Sequence, residues 1–220
     1  MRALFYIMIA GGTLLLLYDW YRTSELRRKR VKKELEKKGL VKLLKEASEN
    51  YPSEVDPELK PGGNPGSTVE SILRHASKKL KLADPDLRTK ILALLREYNT
   101  KYRKEGEPFL ACFEVLRSPI RQYQVFMEGK SNFWQPGKHA LGCAADLVFW
   151  WPRKGKWDWT GKLYDRKKAI FRRLARKYNL TWGGNWVSIY DPYHWELKVC
   201  KGGKLRELLL TYLPQRMLKA

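Results

Sequence analysis

The spacing of hydrophobic and polar positions changes several times along the chain, and each change marks an element. Residues 3–18 (ALFYIMIAGGTLLLLY) are sixteen consecutive uncharged positions. At 1.5 Å per residue they span about 24 Å as a helix, slightly short of a hydrocarbon core of about 30 Å. Trp20 and Tyr21 follow at the place where interfacial aromatics anchor a span. The run reads as a single-pass membrane anchor. A cleaved signal peptide is the first alternative, but its small-x-small site is missing after Leu17; a buried core helix is the second. Residues 22–45 carry eleven basic and three acidic side chains on helix-forming residues, with Glu34 and Lys38 at i,i+4, so a basic helix continues from the anchor. Residues 51–67 hold four prolines and three glycines and read as a linker or irregular entry loop. The resulting division is anchor 1–21, basic juxtamembrane helix 22–50, linker 51–67 and folded domain 68–220.

Within the domain, Asp84 and Pro85 open a helix over 85–103 as cap and first residue, with Leu87, Ile91, Leu94, Tyr98 and Tyr102 on one face. Residues 109–116 and 144–150 are aromatic and aliphatic runs of strand type, and 195–200 is a third strand. A basic amphipathic helix is expected over 165–178, with Ile170, Leu174 and Tyr178 inward, and a terminal helix over 205–213. Helices and strands mix without strict βαβ alternation, which predicts an α+β fold.

Charge adds a second constraint. The 220 residues hold 44 Lys+Arg against 23 Asp+Glu, a formal charge of +21. Only +4 of that excess lies in residues 1–60, leaving +17 downstream. Such a field attracts an anionic partner: nucleic acid, anionic lipid or bacterial cell wall. Three cysteines, Cys112, Cys143 and Cys200, cannot all pair, match no CxxC pattern and argue against a disulfide framework.

Two of the three histidines stand close to aspartates: His139 with Asp146, and His194 with Asp191. Asp146 lies in the apolar run AADLVFWW, where an ionised carboxylate needs a compensating cation or hydrogen bonds. Two neutral imidazoles and one carboxylate are a three-ligand zinc set with a fourth position open to water, the pattern of catalytic zinc. A nearby free carboxylate can then take the proton of that water. Cys143 falls between two of these ligands and is either a rival thiolate or, more plainly, a small core residue. His75 sits on a helical stretch without such a setting and reads as structural.

The ordered set His139-x6-Asp146, Trp182-Gly-Gly-x-Trp186 and Asp191-x-x-His194-x-Glu196, preceded by Arg117-Ser-Pro-Ile-Arg-Gln122 and Gly129-Lys-Ser131, resembles the zinc peptidases of peptidoglycan stem peptides. That family comprises D-alanyl-D-alanine carboxypeptidases and phage L-alanyl-D-glutamate endopeptidases. The resemblance covers roughly residues 68–200. It implies a Hedgehog/DD-peptidase-like fold, a small antiparallel sheet with flanking helices around a Zn2+ site. By resemblance His139, Asp146 and His194 bind zinc, Asp191 is the general base and Arg117 holds the substrate carbonyl or developing oxyanion. Gln122 and Ser131 are substrate hydrogen-bonders, and Trp182 and Trp186 shape the cleft floor. Gly137 departs from the pattern, since members often carry Ser two residues before the first zinc histidine.

The function so implied is a membrane-anchored peptidoglycan hydrolase of phage, endolysin type, used in lysis or wall penetration. Its bond is L-Ala–D-Glu, because the compact Arg117–Ser131 block is nearer the phage enzymes, with D-Ala–D-Ala carboxypeptidase as the alternative. Peptidoglycan, a virion or host inner membrane, and virion components are the expected partners, and no specific nucleic acid is expected. A membrane-tethered nucleic-acid or anionic-lipid binder is the reading of another class; it accounts for the charge and leaves the His/Asp set unexplained. The positive-inside rule puts the domain on the cytoplasmic side, which conflicts with a substrate outside the membrane.

Overall fold

A computed structural model describes residues 12–187, 189–213 and 217–218, and of 12–23 the backbone alone. The chain enters through α1 (Gly12–Lys37), α2 (Leu40–Glu49) and a single turn, α3 (Pro52–Val55). Helices α4 (Val69–Lys79) and α5 (Pro85–Glu97) lead to β1 (Phe109–Glu114) and α6 (Pro119–Met127). Strand β2 (Ala144–Trp151) turns back as β3 (Lys156–Asp158) and is followed by α7 (Lys162–Arg166), α8 (Lys168–Lys177), β4 (Leu180–Trp182), β5 (His194–Leu197) and α9 (Gly203–Tyr212).

All pairings are antiparallel, in the order β1-β2-β5-β4, with β3 also on β2. Strand β2 is central because its side chains are apolar on both faces and nearly all buried. Its first half pairs with β5, placing Asp146 opposite His194, and its second half pairs with β3. One face of the sheet packs on a stack of Tyr98, Phe149, Tyr164, Phe171, Trp182 and Trp195. On the other face Phe109, Ala111 and Trp150 pack with Ile72 of α4. The α+β expectation agrees with this arrangement.

Helix α5 begins as the sequence indicates, Asp84 accepting from the Asp86 amide with Pro85 behind it, and buries Leu87, Ile91 and Leu94. The helix expected over 165–178 is broken at Lys167 into α7 and α8; Leu174 is fully buried as expected, and Phe171, rather than Ile170, joins it in the core.

The stretch 51–67 is irregular, yet fastened to the domain. Tyr51 is fully buried and its hydroxyl donates to the Ala140 carbonyl at 2.8 Å; Gly62 N–H donates to Phe113 O at 2.8 Å. The core also reaches back to Leu35, Leu44 and Ala47 of α1 and α2, and α2 packs on α6 and α9. Ser48 Oγ there accepts from the Ile120 amide at 2.9 Å, satisfying an otherwise orphaned donor of the first turn of α6. No helix among the described residues is long and apolar enough to cross a membrane. The expected anchor, residues 1–21, lies outside the residues whose side chains are described.

Two of the three cysteines pair, contrary to the expectation from their spacing. Cys143 and Cys200 form a disulfide with Cα atoms 5.7 Å apart, and Cys112 is free and buried. The antiparallel run of β5 along β2, extended by Leu197 N–H donating to Cys143 O at 3.0 Å, brings these distant positions together. Cys143 is therefore neither a thiolate ligand nor a free core residue.

Candidate active site

The first candidate ligand, His139, stands on a compact turn between α6 and β2. Within it Ala140 N–H donates to Gly137 O at 2.9 Å and Cys143 N–H to Lys138 O at 2.8 Å, so His139 is held before the strand begins. Its Nδ1 lies 2.9 Å from the Val115 carbonyl, so Nδ1–H is the donor and Nε2 keeps its lone pair. Asp146 projects from β2. His194 opens β5, and its Nε2 lies 3.0 Å from Glu196 Oε2, leaving Nδ1 for a ligand.

These three free atoms converge. His139 Nε2 is 3.2 Å from both Asp146 Oδ1 and His194 Nδ1, and the third side, His194 Nδ1 to Asp146 Oδ1, is 3.4 Å. A tetrahedral zinc with bonds of about 2.0–2.1 Å spaces its ligand atoms by about 3.3 Å, so the triangle fits one face of such a site. The set His139, Asp146 and His194 meets the geometric requirement for holding a metal ion. Charge agrees: carboxylates of Glu114, Asp146, Asp191 and Glu196 crowd the site against the cations of Arg117 and Lys138, leaving room for a dication.

Asp191 reaches the site on a turn set by the Trp-Gly-Gly-x-Trp motif, whose glycines have a steric reason. A Cβ on Gly183 would lie 2.4 Å from the Asp191 carbonyl oxygen, and one on Gly184 would lie 2.2 Å from the Trp182 ring. Asp191 N–H donates to Gly183 O at 3.2 Å, and Tyr193 N–H to Asp191 Oδ1 at 3.2 Å. Burial, and after it the charge of Asp146, push the Asp191 carboxyl above its ordinary pKa. Asp146 goes the other way: against burial, the His139 and His194 rings and Arg117 hold it well below the usual range. Two neighbouring carboxylates driven apart in this way are suited to different roles, one to holding a cation and the other to accepting a proton. His194 is pushed up to about 9, burial opposing but outweighed by hydrogen bonds to Asp146 and Glu196.

Arg117 lies behind Asp146. Its Nη2 donates to Asp146 Oδ2 at 2.8 Å, its Nε to Glu114 Oε2 at 2.7 Å and its Nη1 to Gln122 Oε1 at 3.2 Å. Gln122 Nε2 donates in turn to Ser131 Oγ at 3.0 Å and to the Phe133 carbonyl. Gln122 and Ser131 thus come together with Arg117 as one bracing chain. Trp186 is half-buried with its ring 5.2 Å from that of His194, at the site itself.

Trp182 does not line the cleft that the resemblance implies. It is 1% exposed, stacked on Trp195 at 5.7 Å, and so lies in the core rather than on the cleft floor. Its Nε1–H donates to Pro192 O at 2.8 Å, which steadies the turn between Asp191 and His194 from beneath. Conversely, Glu114, Glu196 and Lys138 belong to the site and were given no role by sequence. Glu114 carried the signal already used for Asp146, a carboxylate inside an apolar strand, with Arg117 three residues on. Lys138 donates to Glu196 at 2.9 Å and to the Leu197 carbonyl at 2.8 Å.

Residues 135–197 match the family profile described as D-alanyl-D-alanine carboxypeptidase. That segment contains all three atoms of the triangle and Asp191. The chain is a peptidase whose segment 135–197 is similar to this family. A solved structure similar to the peptidase is the L-Ala D-Glu endopeptidase ChiX of Serratia marcescens, at 26% identity and a TM-score of 0.43, over 56% of this chain and 86% of that one. Among curated proteins, none matches the sequence. Arg117, Gln122 and Ser131 lie upstream of the matched segment and join the peptidase site through the contacts above.

Proposed function

We propose that this peptidase is a zinc enzyme that hydrolyses the L-Ala–D-Glu bond of peptidoglycan stem peptides. The observation that carries the metal assignment is the triangle of His139 Nε2, Asp146 Oδ1 and His194 Nδ1, with Asp191 beside it. Zinc held there supplies a Lewis acid for the scissile carbonyl and a more acidic water. Asp191, with its raised proton affinity, accepts the proton of the attacking water and delivers it to the leaving amine. Arg117 fixes the Asp146 carboxylate from behind and adds a permanent positive charge to the buried surroundings of the site, its donors being taken by Glu114, Gln122 and Asp146. Trp186 walls the His194 side and limits water there.

The choice of bond is supported by the compact Arg117–Ser131 block, which resembles the phage endopeptidases. Anchoring through residues 1–21, a phage role in lysis or wall penetration, and attachment to a virion or host inner membrane belong to the same proposal. The Cys143–Cys200 disulfide supports a domain facing an oxidising compartment, the side on which peptidoglycan lies, against the orientation the basic flank favours. The test is digestion of purified peptidoglycan by the zinc-loaded chain, with chelator and Asp191→Ala as controls and mass spectrometry of the fragments. New L-Ala carboxyl and D-Glu amino ends support the reading. Release of terminal D-Ala alone makes the enzyme a carboxypeptidase, and no cleavage by folded, zinc-loaded protein overturns the catalytic reading.

A further inference from the structure

Trp159, directly after β3, leaves about half of its surface in solvent, 49%. A single exposed tryptophan needs no explanation by itself. This one is braced. The Phe113 ring meets it edge-on at 4.7 Å and the Tyr193 ring at 4.9 Å, and the Tyr193 hydroxyl donates to the Trp159 carbonyl. Phe113 adjoins Glu114 and Tyr193 adjoins His194, so the platform is built from the chain neighbours of two site residues. Beside it opens a cavity of about 380 Å³ whose lining includes Trp151, Trp157, Trp159, Lys156, Lys162 and Arg166. Asp158, on the same wall, accepts from Thr160 N–H at 2.9 Å and from Trp151 Nε1–H at 3.3 Å, so its carboxylate is occupied by the protein itself.

Flat aromatic faces combined with ammonium and guanidinium donors suit a ligand with apolar C–H faces and many oxygen acceptors. We propose that Trp159 and the adjoining cavity form a subsite for the amino-sugar glycan strand that carries the stem peptide. This deepens the peptidase reading and rests on it. In peptidoglycan the first L-alanine is amide-linked to the lactyl group of a muramic acid residue. At about 3.3–3.6 Å per extended residue, cleavage after that alanine keeps the sugar within roughly 10 Å of the reacting carbonyl, whereas cleavage at the far end of the peptide moves it several residues away. A sugar platform braced by the neighbour of His194 therefore fits a bond close to the glycan. The cavity volume lies in the range of small-ligand sites.

The test uses the full zinc-loaded chain and two readouts. The first is calorimetric binding of a tetramer of N-acetylglucosamine to the wild type, Trp159→Ala and Trp159→Phe. The second is the ratio of kcat/KM on polymeric peptidoglycan to kcat/KM on a free stem peptide. We expect tetramer binding to weaken at least tenfold in Trp159→Ala and to be largely kept by Trp159→Phe, and the ratio to fall at least tenfold through KM. Unchanged thermal unfolding of both variants establishes that they fold. No tetramer binding by the wild type, or equal binding by Trp159→Ala, overturns the subsite even if both substrates are cut. Trp159-dependent tetramer binding by a chain that cuts neither substrate upholds the subsite and overturns the peptidase reading.

Discussion

The two histidine arms of the metal cradle are built differently. His139 leans on a neutral backbone carbonyl, that of Val115, and its turn is tied down by Tyr51 from the entry segment and by the Cys143–Cys200 disulfide. His194 leans on a carboxylate, Glu196, itself paired with Lys138, and its turn rests on Trp182 beneath and Trp186 beside it. One arm is fixed by covalent and main-chain restraint, the other by charge and aromatic packing. The difference teaches where protons compete with metal. A carbonyl orients an imidazole without adding a full negative charge, whereas Glu196 and Asp146 together hold the His194 pKa up to about 9.

The largest expected effect tests the proton acceptor on the His194 arm. Asp191→Ala lowers kcat on peptidoglycan about 10²–10⁴-fold, as loss of a general base does, while zinc still binds at one equivalent, measured by metal analysis. Next in size are changes to the supports. Trp182→Ala empties a fully buried position and lowers stability by about 3–5 kcal/mol in chemical denaturation. Trp186→Ala, half-buried at the site, acts on activity more than on stability. Reducing the disulfide opens a loop with a sequence separation of 57 and, on loop entropy, costs about 4 kcal/mol, read as a lower melting temperature and a loosened His139 arm.

A smaller effect separates the arms chemically. Glu196→Gln keeps the hydrogen-bond geometry and removes the charge, so zinc affinity falls about 10–100-fold by competition titration, the range for lost partners of ligands. The smallest is a slope. Zinc must displace the His194 proton, so below about pH 9 the apparent affinity rises with pH by up to about tenfold per unit. In Glu196→Gln the pKa is lower and that rise ends at a lower pH.

Much of this site was legible in the sequence because its signals are local. His139, Asp146, Asp191 and His194 fall in two short segments, and the strands that carry them are apolar runs. Asp84 and Pro85 marked the start of α5 for the same reason. What escaped depends on contacts distant in sequence. The disulfide joins positions 57 residues apart, and only the pairing of β2 with β5 brings them together. Trp182 and Trp186 share one motif, yet one ring packs on Trp195 in the core and the other lies beside His194, so residue type alone could not assign them. The fastening of 51–67 was hidden by its proline and glycine content, which is irregular in backbone without being loose.

Whether the three atoms form a zinc cradle serving hydrolysis is decided by titrating zinc into metal-free protein while following cleavage of peptidoglycan. We expect activity that rises in step with bound zinc and saturates at one equivalent per chain, and no activity at any zinc level in His139→Ala. Full cleavage by metal-free wild type, or undiminished cleavage by His139→Ala, would contradict it.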